Sequence, residues 1–572
     1  MNLIGMVVNE IERINNNFDE TLNYVHEFAF AAGLQHNDVY TFKHALQQDD
    51  REDFLQAAIK EIDDHEKRGH WELVPRTSIP KEAKTILSIW SFKRKRYPDG
   101  RILKHKARIC AHGDMQQWGQ IYWETYSPVV SWLSIRTLLT LSKILELDTK
   151  SIDFVLAFPQ ADLDVDIFME LPSGFEVANN IGGVRYILRL KKNLYGLKQA
   201  GLNWFDKLRK GLEDRGFVQS KIDPCVFMRH DCIIVTYVDD CIMFVKDIKV
   251  ADTLVKSLQE GPEKFDFTDE GSVHNYLGVE IIDRPDIHKK AFEMKQPYLI
   301  ERILETVQID SKTNVKDTPV TKPLLTKDKS GEERRNNWNY RSVIGMLNYL
   351  QGTTRPDISM PVHQCARFNN DPKLSHERAV KRICKYLLGS KGRGCICIPD
   401  FSKGIQCFVD ADFVGCWTPE EACNPENVLS RTGYIIFYAG CPLIWCSKLQ
   451  TEIALSTTEA EYIALSQALR QVIPLLYFMD EITKIFKTSL PKPQIHCKVF
   501  EDNESCIAVA KSKKFTPRTK HIALKYHHFR RFVDKGVIEI CSIDTTKQTA
   551  DALTKPLCRD LFVFHRTRMI GW

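Results

Sequence analysis

The sequence contains no Cys-x-x-Cys pair, although it carries 17 cysteines in 572 residues. The tightest spacing is Cys395-Ile396-Cys397. This excludes a zinc ribbon, a zinc knuckle and a thioredoxin-like redox site. The cysteine count is odd and the chain is long, so reduced thiols packed in cores are expected rather than a secreted disulfide scaffold. No apolar run approaches the roughly 18 residues that a membrane-crossing helix needs. The start, Met1 to Val8, has no basic segment, and its apolar stretch is too brief for a signal peptide. Excess charge is also missing. A net charge of +5, with 43% hydrophobic and 27% charged residues, describes an ordinary soluble globular chain. Its length is too great for one core, so about two to four domains are expected.

What is present begins with Tyr237-Val238-Asp239-Asp240. The apolar runs Cys232-Ile233-Ile234-Val235-Thr236 and Cys241-Ile242-Met243-Phe244-Val245 flank it. Their composition and length predict two strands, with the acids at the tip of a hairpin. Asp is a common turn residue, so a solvated turn also fits. Acids held on rigid strands can instead bind a divalent cation, and oxygen-only ligation suits Mg²⁺ or Mn²⁺. A third acid on a similar strand would decide. Asp153 is the candidate, embedded in Ser151-Ile152-Asp153-Phe154-Val155-Leu156-Ala157-Phe158. An unpaired carboxylate in such a run would be costly. Three carboxylates of this kind can hold two ions about 3.5–4 Å apart, as polymerases do. Asp162, Asp164 and Asp166 fall in a more polar stretch and read as loop acids.

The strongest basic cluster comes earlier. Lys93, Arg94, Lys95, Arg96, Arg101, Lys104, Lys106 and Arg108 lie within sixteen residues, opposed only by Asp99. Pro98-Asp99-Gly100 is a turn signal, so the cluster predicts a basic β-hairpin. A solvated cationic face is the plainer reading. Charges converging on one surface also suit a nucleic-acid backbone or a triphosphate.

A second group of acids lies in the last third. Asp410 and Asp412 end the strand-like run from Ile405. Ser456-Thr457-Thr458-Glu459-Ala460-Glu461 opens a long helix, and capping alone would account for Glu459. Val499-Phe500-Glu501-Asp502 ends another strand, and Gln548 to Leu553, with Asp551, begins a short helix.

Taken together, Tyr237 to Asp240, Ile152-Asp153 through Phe158, and Leu194-Tyr195-Gly196-Leu197-Lys198-Gln199 resemble the palm motifs of a reverse transcriptase. More specifically, they resemble those of copia-type LTR retrotransposons. Tyr126-Ser127-Pro128-Val129-Val130, Tyr276-Leu277-Gly278 and Thr354-Arg355-Pro356-Asp357-Ile358 match that family too, and the likeness runs from about Phe42 to Leu557. The order strand-Asp, helix-Glu, strand-Asp, helix-Asp resembles ribonuclease H, which this family carries after its polymerase.

The resemblance implies an α+β multidomain fold: a right-hand polymerase with fingers, palm and thumb, then an RNase H-like α/β domain with a mixed sheet. Expected boundaries are a leader at 1–45, fingers and palm at 46–250, and a thumb at 251–325. A linker and connection at 326–400, the RNase H-like domain at 401–560 and a tail at 561–572 complete the chain. Asp153, Asp239 and Asp240 would be the polymerase metal ligands. Asp410, Glu459, Asp502 and Asp551 would be those of the second centre, with Asp412 and Glu461 ranked below them. Each centre would take two Mg²⁺ or Mn²⁺. Lys106 and Arg108 would hold the triphosphate, Phe158 would lie under the incoming sugar, and Lys198 and Gln199 would line the nucleotide pocket. Lys93, Lys95, Arg518, Lys520 and His521 would contact nucleic acid.

One departure stands out. The family continues with Pro-Arg after Gln-Ala, whereas this chain has Gly201-Leu202. No Asp-Ser/Thr-Gly triplet is present, and His65 and His70 are followed by no Cys-x-x-Cys. The resemblance therefore covers neither an aspartic protease nor the zinc module of an integrase. Implied partners are an RNA template, a DNA or tRNA primer, RNA–DNA hybrid, deoxynucleotides, and the integrase and Gag of the same element. A cytoplasmic particle or the nucleus is the implied location. The competing expectation is a decayed or domesticated remnant that binds nucleic acid without catalysis.

Overall fold

The computed structural model describes residues 39–96, 101–174, 183–261, 263–328, 330–415, 425–487, 497–512 and 524–572. The expected leader lies almost wholly outside these residues, as do Arg518, Lys520 and His521. Helices and sheets are mixed, consistent with the expected α+β multidomain fold, and the described residues form five sheets.

The basic hairpin forms as Ser88–Arg96 paired antiparallel with Ile102–Ala111. Strand alternation sorts its residues onto two faces. Trp90, Phe92, Ala107 and Ile109 are buried, against Phe54, Ala58 and Ile62 of the helix Arg51–Lys67. Lys93, Lys95, Lys104, Lys106 and Arg108 share the opposite face, because Lys93 pairs with Lys106, Lys95 with Lys104 and Ser91 with Arg108. Beside it stands a four-stranded sheet containing Asp162–Met169. Asp162, Asp164 and Asp166 are therefore outward residues of a strand, not loop acids. Lys192 and Arg189 on the neighbouring strand meet Asp162 and Asp166 at 2.5 and 2.8 Å.

The central sheet has six strands, in the order Phe267–Gly271, Asp148–Phe154, Asp240–Val245, Cys232–Tyr237, Val226–Met228 and Val218–Gln219. Its middle strands read as near-continuous apolar runs because both faces are covered. Trp132–Leu145 packs on one face, and Ala200–Glu213 with Ile248–Glu260 on the other. The chain from 251 to 271 thus completes this palm sheet, where a thumb was expected. The chain then forms a further sheet that includes Asn275–Tyr276, Val279–Asp283 and Phe292–Lys295, followed by the helix Pro297–Val307.

That helix shares one core with Tyr340–Thr353, Ser359–Ala366 and Leu374–Leu388. The expected division between thumb and connection therefore runs through a continuous core. The polar stretch between them is laid along the last helix. Ser375 Oγ donates to Asp328 at 2.8 Å, and the Leu374 N–H donates to the Glu332 carbonyl at 2.8 Å. The Thr354 to Ile358 motif is structural. Arg355 and Asp357 form a fully buried pair at 2.8 Å, and the Tyr386 hydroxyl donates to Asp357 at 2.5 Å.

The last sheet has the order Cys441–Leu449, Arg431–Tyr438, Ile405–Asp412, Cys497–Glu501 and Ile538–Ser542. The first three strands are antiparallel and the last two join parallel, giving the mixed sheet expected of an RNase H-like domain. The helix Thr457–Ile485 covers it. The expected tail is instead most of the helix Arg559–Ile570. Its Phe562 enters the helical core, its Met569 and Ile570 enter the sheet core, and the Trp572 indole N–H donates to the Gly394 carbonyl at 2.7 Å.

Candidate metal centres

The first centre is built on two neighbouring strands. Asp240 pairs directly with Asp153, and Tyr237 pairs with Asp240 across the hairpin. The tip is thus Val238-Asp239, with Asp240 already in the strand. Val238 has φ +56°, a region that disfavours β-branched residues. Its neighbours hold it there. The Trp204 indole donates to the Val238 carbonyl at 2.7 Å, and the Phe154 N–H donates to the Asp239 carbonyl at 2.9 Å. Burial, then Asp239, Asp153 and Glu270, push the Asp240 carboxyl up to about 7. Burial and then Asp239 raise Asp153, while Lys95, Lys106 and Lys104 oppose the shift. The cationic face of the basic hairpin is therefore aimed at these acids.

Arg108 lies over the Tyr195 ring at 4.6 Å, and Tyr195 lies against Phe158 at 5.1 Å. The two expected nucleotide residues are joined by a ring that sequence reasoning passed over. Burial, then Arg108 and Lys95, lower Lys106 to about 8. Tyr195 precedes Gly196, whose φ of +91° and contact with Ala111 leave no room for a Cβ. Lys198 is exposed. Gln199 is buried and tied to a distant segment of the chain: it accepts from Gln116 at 3.0 Å and donates to the Ile121 carbonyl at 3.1 Å. Gly201 and Leu202 lie in the first turn of the helix Ala200–Glu213. A Cβ on Gly201 would meet the Ser127 side chain at 3.4 Å.

The second centre is tighter. Among the described residues, one group of three potential ligands has its atoms within 4.8 Å of one another: Asp410, Glu461 and Asp502. Glu459, expected in this role, is elsewhere. Its carboxylate accepts from the Leu455 N–H at 2.8 Å, while its own N–H donates to Ser456 Oγ at 3.1 Å. It caps the long helix, as Ser-x-x-Glu signatures do. That signature was the available signal, because it already occupies Glu459 and leaves Glu461 to meet the sheet. Burial, then Glu501 and Asp410, raise Glu461 well above the ordinary carboxyl range. Glu501, a further acid at this strand end, is fully buried and raised chiefly by that burial.

Asp551 stands beside Asp410, and burial followed by Asp410 pushes it up to about 7. Thr554 donates its hydroxyl to Asp410 Oδ2. Lys555 Nζ lies 3.0 Å from Asp551 Oδ1 and 3.8 Å from Asp410 Oδ2. Burial alone would lower Lys555, but Asp410 and Asp551 outweigh it and raise the lysine. The donors at both centres are carboxylate oxygens, which fits hard divalent cations such as Mg²⁺ and Mn²⁺ and not soft ones.

A family model described as reverse transcriptase (RNA-dependent DNA polymerase) matches residues 69–322, which contain the whole first centre. The retrovirus-related Pol polyprotein from transposon TNT 1-94 of Nicotiana tabacum is 33% identical over 533 residues, covering 91% of this chain and 38% of that protein. The retrovirus-related Pol polyprotein from transposon RE1 of Arabidopsis thaliana is 31% identical over 501 residues, covering 86% and 32%. The chain thus spans less than two fifths of the length of these relatives. A solved structure of the foamy viral protease-reverse transcriptase dRH in complex with double-stranded DNA aligns with TM-score 0.44 and 13% identity, covering 86% of this chain and 69% of that one. Residues 69–322 thus match the reverse transcriptase family model, and most of the chain is similar to the Pol polyproteins of copia-type transposons.

Proposed function

We propose that this chain is an RNA-directed DNA polymerase that also cleaves the RNA of RNA–DNA hybrids. The observation that carries the polymerase reading is Asp153 directly across from Asp240, with Asp239 at the tip, under a cationic hairpin face. Bound between Asp153, Asp239 and Asp240, two Mg²⁺ or Mn²⁺ would activate a primer 3′-hydroxyl and neutralise the leaving pyrophosphate. Lys106 and Arg108 would bind the triphosphate of the incoming deoxynucleotide. Phe158, backed by Tyr195, would pack against its sugar and exclude a 2′-hydroxyl. Lys93, Lys95 and the exposed Lys198 would hold template or primer backbone.

The second centre would use Asp410, Glu461, Asp502 and Asp551 to bind two such ions and hydrolyse the RNA strand of the hybrid. Lys520, Arg518 and His521 would extend the hybrid contact. Partners would be an RNA template, a DNA or tRNA primer, and the Gag and integrase of the same element, in a cytoplasmic particle or the nucleus. Among the described residues, no helix is long and apolar enough to cross a membrane.

Primer extension on poly(rA)/oligo(dT), beside a labelled RNA–DNA hybrid, tests both activities. The parent extends and cleaves. Asp239→Asn/Asp240→Asn loses extension and keeps cleavage, whereas Asp410→Asn does the reverse. A parent that binds hybrid but neither extends nor cleaves overturns the proposal in favour of a binding-only remnant.

A further inference from the structure

We infer that Lys555 is a built-in counter-ion at the second cation position of the Asp410/Glu461/Asp502/Asp551 centre, so that a second divalent ion binds there only by displacing its ammonium. This rests on the metal-centre reading above. Asp410, Glu461 and Asp502 bring three ligand atoms within 4.8 Å, which is enough to hold one ion. Asp551 lies outside that group but against Asp410. The position between those two carboxylates is the one Lys555 reaches, at 3.0 Å from Asp551 and 3.8 Å from Asp410.

The lysine is delivered there by a fixed segment. Gln548 donates to the Val409 and Phe500 carbonyls at 2.8 and 3.2 Å, pinning the segment across both acid-bearing strands. The helical turn Thr549–Leu553 is buried throughout. The Lys555 N–H donates to the Asp551 carbonyl at 3.1 Å, setting the two side chains one turn apart on one face. Thr554 adds its hydroxyl to Asp410. The buried acids therefore have a positive partner when no metal is bound, which offsets their mutual repulsion.

An ammonium and a divalent ion cannot share the same two oxygens, because both are positive and within a few ångströms of each other. The first ion, on Asp410, Glu461 and Asp502, can enter with Lys555 in place. The second must move it. A substrate phosphate gives the ammonium another anion to turn to, so substrate would favour loading of the second ion.

Mn²⁺ binding to the full chain, followed by isothermal titration and electron paramagnetic resonance, tests this. Asp239→Asn/Asp240→Asn serves as background so that the first centre does not contribute. The parent should take one Mn²⁺ well and a second poorly. Lys555→Met should tighten the second ion by about tenfold or more, whereas Lys555→Arg, which keeps the charge, should match the parent. In EDTA, Lys555→Met should melt below the parent, and Mn²⁺ should restore it by a larger shift. Second-ion affinity unchanged or weakened in Lys555→Met overturns the inference. No Mn²⁺ uptake by the parent, with Asp410→Asn making no difference, overturns the metal-centre reading and the inference with it.

Discussion

Glu459 and Glu461 are two positions apart on one helix, and a helix turns such residues to opposite sides. Ser456 and Leu455 engage Glu459 at the helix start, while Glu461 faces Asp410 and Asp502. The two substitutions should therefore behave differently. Glu461→Gln removes a carboxylate of the proposed metal centre and should lower hybrid cleavage by on the order of 100-fold or more. Glu459→Gln should leave cleavage within a few-fold and cost about 1 kcal/mol of stability through the weakened cap. Hybrid cleavage rates and urea midpoints of both variants check this, and equal losses of cleavage would refute it.

The basic hairpin works as an element because its two faces are held apart. One face is core and the other cationic, and Asp50 clasps the edge where they meet. Arg94 reaches Asp50 through two hydrogen bonds, at 2.6 and 2.7 Å, and also bonds the Tyr40 hydroxyl. His105 Nε2 meets Asp50 Oδ2 at 2.6 Å. The Arg94 hydrogen bonds hold the Asp50 carboxyl well below the ordinary range, against burial, with His105 assisting. A carboxyl depressed in the folded state stabilises the fold above its unfolded pKa, about 3.9, and loses that contribution as pH falls further. Chemical denaturation should thus show a flat contribution from pH 7 to 5 and a decline below 4. Asp50→Asn should cost about 1.5–3 kcal/mol at pH 7 and flatten the acid limb. An unchanged acid limb in that variant would assign the decline to other groups.

At the scale of the whole molecule, the palm and the RNase H-like sheet share a seam. Arg136, on the helix Trp132–Leu145, donates to the Leu443, Gly352 and Thr353 carbonyls at 2.7, 2.5 and 2.7 Å. Its guanidinium lies 4.1 Å from the Trp445 ring, and burial lowers its pKa to about 9. One side chain thus joins the palm, the helical core and the last sheet. Nearby, Glu481 accepts from Ser220 Oγ at 2.7 Å, and Lys246 Nζ donates to the Phe486 carbonyl at 2.9 Å. Arg136→Met leaves buried carbonyls without donors and should cost about 2–4 kcal/mol. Calorimetry should then split one unfolding transition into two, one for each side of the seam. A single transition at the parent temperature would show that the seam does not couple them.

What the sequence by itself determined were features set by short-range physics. Apolar runs predicted the tip hairpin, and the turn signal Pro98-Asp99-Gly100 within a basic run predicted the basic hairpin, both from residues close together in sequence. Asp153, Asp239 and Asp240 were legible for the same reason: each acid interrupts, or caps, an otherwise apolar strand. The helix Arg559–Ile570 was missed because its apolar residues gather on no single face, being shared between two cores. Only the tertiary structure decided that Glu461 and not Glu459 meets the sheet, that Gln199 bonds Gln116 and Ile121, and that Lys555 reaches Asp410. Those outcomes depend on which face of a helix or turn packs against a distant strand. Local periodicity leaves that choice open, and long-range packing makes it.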